Sequence, residues 1–275
     1  MSAPDRYAVF GHPVGHSRSP WIHARFAELT GQSLNYEARE VPPGGFDAAL
    51  AAFLAEGGKG LNITVPHKLA AFAAAARLTP RARRAGAVNT LAVQPAGLLG
   101  DNTDGAGLLR DLRDNLGLDL AGARVLLVGA GGAARGALEP LLAAGPRTLL
   151  IVNRNAARAE ALAADFAAAG PIRGGSLDDA HGPFDLVINA TSASLAGEVP
   201  RLPADAIGRD TFCYDMAYGT GPTAFLRRAQ ELGAARVADG LGMLVEQAAE
   251  SFLLWRGVQP PTRPVLEELR RLLAA

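Results

Sequence analysis

Residues 125–136 constrain the fold of this chain more than any other stretch. They read Val125-Leu-Leu-Val-Gly-Ala-Gly-Gly-Ala-Ala-Arg-Gly136, so four apolar, strand-compatible residues run into a glycine-rich turn and an alanine-rich helix. Gly129 permits the tight turn, Gly131 lets backbone approach a pyrophosphate, and Gly132 removes further bulk beside the helix N-terminus. The third fingerprint position is Ala134, a permitted variant. The stretch predicts a dinucleotide-binding strand, turn and helix.

Length and composition narrow the rest. A chain of 275 residues is long enough for two ordinary domains, so the residues before 125 must do something else. The 27 basic and 27 acidic residues cancel, which gives no electrostatic case for nucleic acid or an anionic membrane as a partner and favours a small-molecule ligand. Cys213, the only cysteine, excludes an internal disulfide and fits a reducing compartment.

The sequence also predicts where the protein works. Its first residues lack an apolar signal region, and no apolar run approaches the roughly 20 residues of a membrane-spanning helix. We therefore expect a cytoplasmic protein. His12 and His16 lie on a loop without carboxylate or cysteine companions, so no metal site is expected.

Lysine usage is unusual. Of the 27 basic residues 25 are Arg, and the two Lys residues, Lys59 and Lys68, lie within ten residues of each other. Because Arg stays protonated under ordinary conditions, a Lys retained against this bias suggests a site that needs a deprotonatable amine. The alternative is chance clustering of two surface lysines.

The first ligand-binding candidates follow a short apolar strand, residues 7–10. Ser19 suits the N-cap and Pro20 the first position of the next helix, which leaves Ser17 as a spare hydroxyl beside the cap. Either Ser19 serves only as a cap, or both hydroxyls line a ligand pocket above the end of the strand.

A second set of candidates surrounds the strand predicted at residues 60–65. Alternation places Asn62 and Thr64 on one face, opposite Leu61, Ile63 and Val65, with Lys68 on the next turn. Solvent exposure would explain this alternation equally well. The convergence of an amide, a hydroxyl and an amine instead favours a site for a polyhydroxylated ligand.

Two further polar positions stand out before residue 106. Asn89 lies inside an otherwise apolar strand of a hairpin, and the loop Gly100-Asp-Asn-Thr-Asp-Gly105 precedes a helix predicted at 106–116. Asp104 is placed to cap that helix, which is the purely structural interpretation. The loop has too few acidic residues at alternating positions for a calcium site.

The second half alternates strands and helices, which predicts a doubly wound parallel sheet. The strand at 147–152 ends in Asn153-Arg154, with Arg158 one helical turn later, where NAD-binding sheets carry an acid. Two guanidinium groups and no carboxylate favour the 2′-phosphate of NADP. Two surface arginines on an Arg-rich helix are the alternative. Thr191 follows a further buried strand, at the same edge of the predicted sheet.

With these elements in order, the sequence resembles the shikimate dehydrogenase family along essentially its full length. Eight separate motifs carry the resemblance: Gly11-His-Pro-Val-Gly-His-Ser-Arg-Ser-Pro20, Asn62-Ile-Thr-Val-Pro-His-Lys68, Gly86-Ala-Val-Asn-Thr90, Gly100-Asp-Asn-Thr-Asp-Gly105, Gly129-Ala-Gly-Gly-Ala133, Asn189-Ala-Thr-Ser192, Tyr214-Asp-Met-Ala-Tyr218 and Asp239-Gly-Leu-Gly-Met-Leu-Val-Glu-Gln247. The resemblance implies reduction of 3-dehydroshikimate to shikimate with NADPH, in aromatic amino-acid biosynthesis.

The resemblance also implies the domain organisation. It predicts an α/β substrate-binding domain at residues 1–103, completed by helices at 240–275, and a Rossmann-type NADP-binding domain at 104–239. A homodimer is one assembly compatible with this organisation, and the sequence leaves the oligomeric state open.

Residue roles follow from the same resemblance. Lys68 and Asp104 look like the catalytic pair, in which Lys68 moves the proton and Asp104 orients it. The implied substrate ligands are Ser17, Ser19 and Tyr218 at the carboxylate, with Asn62, Thr64, Asn89 and Gln247 at the ring hydroxyls. The implied cofactor ligands are Gly129, Ala130, Gly131, Gly132, Ala133, Asn153, Arg154, Arg158, Thr191, Met216 and Gly240.

Three residues depart from the family pattern: Asn155 where Thr often follows the Asn-Arg pair, Ser194 where Gly is common, and Pro80 where an acid is frequent. A quinate or dual quinate/shikimate dehydrogenase is the alternative enzyme. A catalytically silent ligand sensor is disfavoured because both Lys68 and Asp104 are retained. An amino-acid or folate dehydrogenase would share only the dinucleotide-binding half.

Overall fold

The computed structural model describes residues 3–191, 193 and 197–274, and its chain divides into two units. The first unit comprises Met1–Gly107 and Val245–Glu267, and the second comprises Leu108–Leu244 and Glu268–Ala275. Each unit holds one six-stranded sheet with helices packed on it. The predicted α/β class and the predicted parallel sheet of the second unit are confirmed.

The sheet of the first unit mixes parallel and antiparallel pairs. Its strands are β1 (Asp5–Gly11), β2 (Leu34–Glu40), β3 (Gly58–Ile63), β4 (Arg77–Leu78), β5 (Thr90–Gln94) and β6 (Gly97–Asp101). They lie in the order β2-β1-β3-β5-β6-β4. β1 is parallel to both β2 and β3, whereas β5 is antiparallel to β3 and β6.

Helices cover this sheet. The complete ones in the first unit are α1 (Ser19–Thr30), α2 (Phe46–Ala55), α3 (Lys68–Ala74) and α4 (Pro80–Ala85), and α5 (Asp104–Arg110) begins there. The apolar run in β1 is continuous because both faces of the strand are buried. Ala8 and Phe10 pack in one cluster with Leu61 and Ile63, while Tyr7 and Val9 pack on the opposite side.

The sheet of the second unit is parallel throughout. Its strands are β7 (Arg124–Val128), β8 (Thr148–Val152), β9 (Ile172–Gly175), β10 (Leu186–Asn189), β11 (Phe212–Asp215) and β12 (Arg236–Asp239), in the order β12-β11-β10-β7-β8-β9. This is the strand order of a dinucleotide-binding sheet, whose switch point lies beside its first strand, here β7. β9 was not predicted, because its sequence Ile-Arg-Gly-Gly carries no apolar pattern.

Alternate residues of β7 enter different cores, which is the arrangement of a doubly wound sheet. Val125 and Leu127 face one cluster, and Leu126 and Val128 face the other. The remaining helices are α6 (Gly132–Ala143), α7 (Ala156–Phe166), α8 (Ala224–Glu231), α9 (Leu241–Arg256) and α10 (Thr262–Ala274). Among the described residues, no helix has both the length and the apolar character needed to cross a membrane.

The limits predicted for the two domains differ from those of the two units, both near residue 104 and after residue 239. Residues 104–107 lie in the first unit, because Asp104 pairs with Lys68 and Gly107 packs so closely on Gln247 that an added Cβ would lie 2.6 Å from its backbone nitrogen. Residues 240–244 and 268–274 lie in the second unit. There Arg270 of α10 forms an ion pair with Asp239 at 3.5 Å.

Two local predictions are wrong at the first helix and in β3. Arg18, not Ser19, is the N-cap residue of α1, and no side chain caps the helix. The strand predicted at residues 60–65 is β3, which ends at Ile63, so exposed Val65 does not extend the face formed by Leu61 and Ile63. The strand ends early because the chain turns at Thr64, whose carbonyl accepts from the His67 N–H.

One predicted helix has different limits. The helix predicted at 106–116 begins at Asp104 and changes to a π-helix over Asp111–Asn115. Within that π-helix the Asn115 amide donates to Asp111 Oδ1 at 2.9 Å.

A buried aromatic group surrounds His23 of α1. The His23 ring stacks on Tyr36 at 4.2 Å between centroids and lies beside Phe252 and Trp255 of α9. The side chain is fully buried, and neither ring nitrogen has hydrogen-bond geometry with any atom in the described part of the chain. Burial lowers the pKa of His23 to about 3, and the nearby Asn62 amide opposes that shift only in part. His23 is therefore neutral in the folded protein.

This buried imidazole predicts acid sensitivity. Its pKa falls from 6.5 to about 3 on folding, so between these values the unfolded chain binds the extra proton and stability is lost as pH falls from 6.5. Between pH 7 and pH 5 this group should lower the free energy of unfolding by about 2 kcal/mol. We expect urea titrations at the two pH values to show a correspondingly smaller loss for His23→Phe. Equal losses in the two proteins would contradict the prediction.

Candidate active site

Lys68 and Asp104 form an ion pair at the start of two helices of the first unit. Lys68 is the first residue of α3 and Asp104 the first of α5, and Lys68 Nζ lies 2.5 Å from Asp104 Oδ2. Lys68 is 29% exposed and Asp104 is 13% exposed, so solvent reaches the amine but not much of the carboxylate. The pair therefore presents a proton donor backed by a fixed negative charge.

The turn that carries Lys68 is held by His67. The His67 ring is buried, stacks on Phe46 at 5.6 Å between centroids, and donates from Nε2 to the Val41 carbonyl at 2.6 Å. Because this carbonyl can only accept, the bond places a proton on Nε2 of His67. The Lys68 carbonyl in turn accepts from the Val88 N–H at 3.1 Å. These contacts fix the backbone on both sides of the amine.

Asn89 holds the other member of the pair. Its amide nitrogen donates to Asp104 Oδ1 at 2.7 Å and to Thr103 Oγ1 at 2.9 Å. Its side-chain oxygen, Oδ1, accepts from the Thr103 N–H at 2.9 Å and from the Thr90 hydroxyl at 2.9 Å. Asn89 is buried, so losing any of these bonds would leave a desolvated polar group. The polar residue predicted inside an apolar strand thus organises the carboxylate of Asp104.

Asp104 does not act as a helix cap. Its own N–H donates to Asn102 Oδ1 at 3.2 Å, and its carboxylate is occupied by Lys68 and Asn89. The capping interpretation of Asp104 is wrong, because Asp104 is itself the first residue of α5 and its carboxylate accepts from Lys68 and Asn89.

An ion pair between partly exposed Arg81 and buried Asp101 supports the loop before Asp104. Arg81 contacts both oxygens of Asp101, at 2.7 and 2.5 Å, and Thr79 donates to Asp101 at 2.6 Å. Although burial alone would raise it, Arg81 holds the pKa of Asp101 below its ordinary value. Pro80 fits this arrangement because it is at the start of α4, where a missing N–H costs nothing and Thr79 is the N-cap.

Asn62 and Thr64 occupy different environments, although the sequence placed them on one face. Asn62 is buried, accepts from the Tyr36 hydroxyl at 2.7 Å, and donates to Ser251 Oγ at 2.9 Å. Thr64 lies beyond β3 and is half-buried. Gln247 of α9 joins the same network, since its side-chain oxygen accepts from Asn89 at 3.4 Å.

The two serines lie where β1 passes into α1. Ser17 Oγ accepts from the Ser19 N–H at 3.3 Å, and the Ser17 N–H donates to the Val14 carbonyl at 2.9 Å. Val14 is itself held by Glu40 Oε2, which accepts from its N–H at 2.8 Å, and Glu40 also contacts His12 at 2.7 Å. Ser19 is 7% exposed and is not used as a cap, which leaves its hydroxyl for other contacts.

In the second unit a cavity of about 510 Å³ lies at the carboxyl ends of the parallel strands. It is lined by seven of the predicted cofactor ligands: Gly129, Ala130, Gly131, Asn153, Arg154, Arg158 and Thr191. Ligands of doubly wound sheets bind at this edge, beside the strand-order switch.

The glycine-rich turn after β7 leaves open space beside the first turn of α6. Gly129 has φ of 114°, which only glycine adopts readily, and a Cβ there would lie 3.1 Å from Thr191. A Cβ on Gly131 or Gly132 would meet no protein atom within 4 Å. Those two glycines therefore leave space that the protein itself does not fill. The first N–H groups of α6, which start at Gly132 and exposed Ala133, have no acceptor within the helix.

Three arginines, Arg154, Arg158 and Arg201, line this cavity. Arg154 and Arg158 are exposed, and the Asn153 amide donates to the Asn155 carbonyl at 3.1 Å. Asn155 is the N-cap of α7 without a side-chain hydrogen bond. Arg201 and Glu198 also line the cavity and were missed. No local pattern could have revealed Arg201, since one more Arg among 25 carries no signal.

Met216 and Gly240 meet at the ends of β11 and β12. A Cβ on Gly240 would lie 2.2 Å from the Met216 carbonyl oxygen, and the Gly240 N–H donates to the Ala217 carbonyl at 3.1 Å. Neither residue lines the 510 Å³ cavity. Tyr218 is half-buried on the turn after β11, in the second unit.

The remaining predicted positions follow strand β10. Thr191 is oriented by Asn189, whose side-chain oxygen accepts from the Thr191 hydroxyl at 2.7 Å. Ser192, which ends one of the motifs, and Ser194, one of the three departures, lie outside the described residues.

Among residues 3–191, 193 and 197–274, no three His, Cys, Asp or Glu side chains are grouped to hold a metal ion.

Three family models match the chain. They are the shikimate dehydrogenase substrate binding domain at residues 9–91, shikimate/quinate 5-dehydrogenase at 111–199, and the shikimate 5′-dehydrogenase C-terminal domain at 240–270. A Methylococcus capsulatus protein named shikimate dehydrogenase (NADP(+)) is 58% identical, over 98% of this chain and 97% of that protein.

Solved structures are similar over nearly the whole chain. The Ael1 enzyme from Pseudomonas putida is 50% identical, with a TM-score of 0.91 over 96% of this chain and 98% of that one. Shikimate 5-dehydrogenase from Thermus thermophilus, in complex with NADP(H) and shikimate, is 36% identical, with a TM-score of 0.86 over 98% of this chain and 99% of that one.

Proposed function

The chain belongs to the shikimate dehydrogenase family, and from this premise we propose that it catalyses the reversible NADPH-dependent reduction of 3-dehydroshikimate to shikimate in aromatic amino-acid biosynthesis. The observation that carries the proposal is the Lys68–Asp104 pair, held by Asn89 among polar side chains of the first unit. We assign the first unit to the substrate and the second to NADP.

The polar side chains suit a ring that bears a carboxylate and several hydroxyls. Ser17 and Ser19 supply hydroxyl donors for the carboxylate, and we assign Tyr218 to the same end. Amide and hydroxyl groups that can both donate and accept hydrogen bonds are available for the ring hydroxyls. They belong to Asn62, Thr64, Asn89 and Gln247. Several donors and acceptors in one place are what a polyhydroxylated ligand requires.

Lys68 is the proton donor in the direction of reduction. Its ammonium gives one proton to the carbonyl oxygen of the substrate while the carbon of that carbonyl is reduced, and it takes the proton back in oxidation. Asp104 keeps the amine oriented through its 2.5 Å contact and balances the ammonium charge. Asn89 fixes the other carboxylate oxygen, so the pair is organised before substrate arrives.

The residues of the second unit fit NADP. The space beside Gly131 and Gly132 and the first turn of α6 would hold the pyrophosphate, and Arg154 and Arg158 would hold the 2′-phosphate. We assign Ala130, Ala133, Asn153 and Thr191 to the same cofactor, with Met216 and Gly240 at its nicotinamide half. When bound, NADPH supplies the hydride.

Two alternatives differ in specific ways. A quinate or dual quinate/shikimate enzyme would use the same Lys68 and Asp104, but the paired serines and paired arginines favour shikimate and NADP. A silent ligand sensor would not need a proton donor held against a carboxylate. We further propose that the enzyme works in the cytoplasm, where buried Cys213 stays a thiol, and that its partner is a small molecule. A homodimer is the assembly to test by light scattering.

The direct test is a spectrophotometric assay that follows the reduced nicotinamide, with shikimate or quinate as substrate and NADP or NAD as acceptor. We expect the highest kcat/KM with shikimate and NADP. A preference for quinate with NAD would overturn the substrate and cofactor assignment, and no turnover of either substrate would favour the sensor.

The chain offers a matched lysine pair for testing the proton donor. We expect Lys68→Ala to lower kcat by about 100-fold or more, the usual scale for an acid-base group, with little change in shikimate binding. Exposed Lys59→Ala removes the same charge elsewhere in the first unit and should leave kcat unchanged. Equal kcat values for the two variants would rule out the role of Lys68.

The cofactor assignment predicts a selective loss. Arg154→Gln and Arg158→Gln should each weaken NADP binding by roughly tenfold, the value of one charge-assisted hydrogen bond, and leave NAD binding unchanged. Calorimetric titration of the protein with NADP and NAD measures both. Exposed Arg209→Gln is the control for loss of a surface charge. Parallel loss of NADP and NAD affinity would contradict recognition of the 2′-phosphate.

A further inference from the structure

We infer that Tyr36 is a positioning residue that sets the orientation of the Asn62 amide in the substrate-binding cluster. The inference rests on the proposed function for the role of Asn62 toward substrate. Tyr36 lies in β2, and neither it nor His23 belongs to the catalytic or ligand-binding residues assigned above.

The Tyr36 hydroxyl lies between two of the assigned substrate ligands. It donates to Asn62 Oδ1 at 2.7 Å, inside the first unit and away from solvent. Burial raises the pKa of Tyr36 well above its ordinary value, and a hydrogen bond with the Ser19 side chain only partly opposes this rise. The hydroxyl therefore keeps its proton, and it has one polar neighbour on α1 and one on β3.

The ring of Tyr36 cannot move freely. It is 8% exposed and stacks on His23 with an interplanar angle of 7°, and Trp255 of α9 lies 6.3 Å away between centroids. His23 is neutral and makes no hydrogen bond of its own among the described residues. It therefore holds the Tyr36 ring through ring stacking alone. The stack fixes where the hydroxyl points.

Asn62 has two chemically different ends, and each is fixed by its neighbours. The amide nitrogen donates to Ser251 Oγ at 2.9 Å, to Thr90 Oγ1 at 3.1 Å and to the Asn89 carbonyl at 3.3 Å. A backbone carbonyl can only accept, so it requires nitrogen on that side. Tyr36 completes the arrangement by donating to the oxygen at the other end of the amide.

The orientation of Asn62 extends to the catalytic pair. Thr90, which accepts from Asn62, donates to Asn89 Oδ1 at 2.9 Å, and Asn89 donates to Asp104 at 2.7 Å. If the Asn62 amide were rotated by half a turn, its oxygen in place of its nitrogen would face the backbone carbonyl oxygen of Asn89, and that hydrogen bond would be lost. Tyr36 therefore acts through Asn62, without contact to the reacting atoms.

The test compares Tyr36→Phe with Tyr7→Phe. Each change removes one buried hydroxyl from the first unit and keeps the ring; Tyr7 stacks on Trp255 at 4.7 Å, and its hydroxyl accepts from Arg256 at 3.3 Å. We expect Tyr36→Phe to raise KM for shikimate by about tenfold while changing kcat and KM for NADP less than about threefold, on the scale of one buried hydrogen bond. Tyr7→Phe should leave all three constants unchanged.

A second measurement does not depend on turnover. In ¹⁵N-labelled protein, the side-chain amide signals of Asn62, assigned by their loss in Asn62→Asp, should shift and exchange faster with solvent in Tyr36→Phe but not in Tyr7→Phe. Unshifted amide signals together with an unchanged KM would overturn the inference. If wild type fails to oxidise shikimate, the proposed function fails, and the amide signals alone decide whether Tyr36 positions Asn62.

Discussion

The contact between Asn89 and Asp104 is the one on which the candidate site depends. Asn89 is buried and satisfied on both ends, and its donation at 2.7 Å fixes the carboxylate that holds Lys68. The same side chain reaches Thr90 and Thr103, so β5, the loop before α5 and α9 share one hydrogen-bonded network. In a low-dielectric interior an incomplete network of this kind is costly, which gives the site its rigidity.

The two units use different physical means to build their sites. In the second unit, backbone features form most of the candidate site. Parallel strands end at one edge, glycines leave open space there, and the first turn of a helix offers its N–H groups. In the first unit, buried side chains hold one another through hydrogen bonds and the Arg81–Asp101 pair. A cofactor common to many enzymes suits a backbone site, whereas a particular substrate needs particular side chains.

Much of this was predictable from the sequence, for local reasons. The glycine fingerprint, the alternating strands and helices and the Arg154/Arg158 pair are patterns within short segments, and the structure contains each of them. The catalytic pair was predicted by resemblance, with the unusual retention of Lys68 as a supporting signal. Strand β9 could not be predicted, because Ile-Arg-Gly-Gly resembles a turn and becomes a strand only beside β8.

By itself the sequence determined the dinucleotide-binding element and the α/β class, since these depend on local periodicity and residue chemistry. Tertiary structure decided which residues meet. It placed Asp104 with Lys68 instead of at a cap, brought Arg201 to the 510 Å³ cavity of the second unit, and aligned Tyr36 with Asn62 across 26 positions of sequence. Contacts between distant segments follow from packing and hydrogen-bond satisfaction, which no single segment encodes.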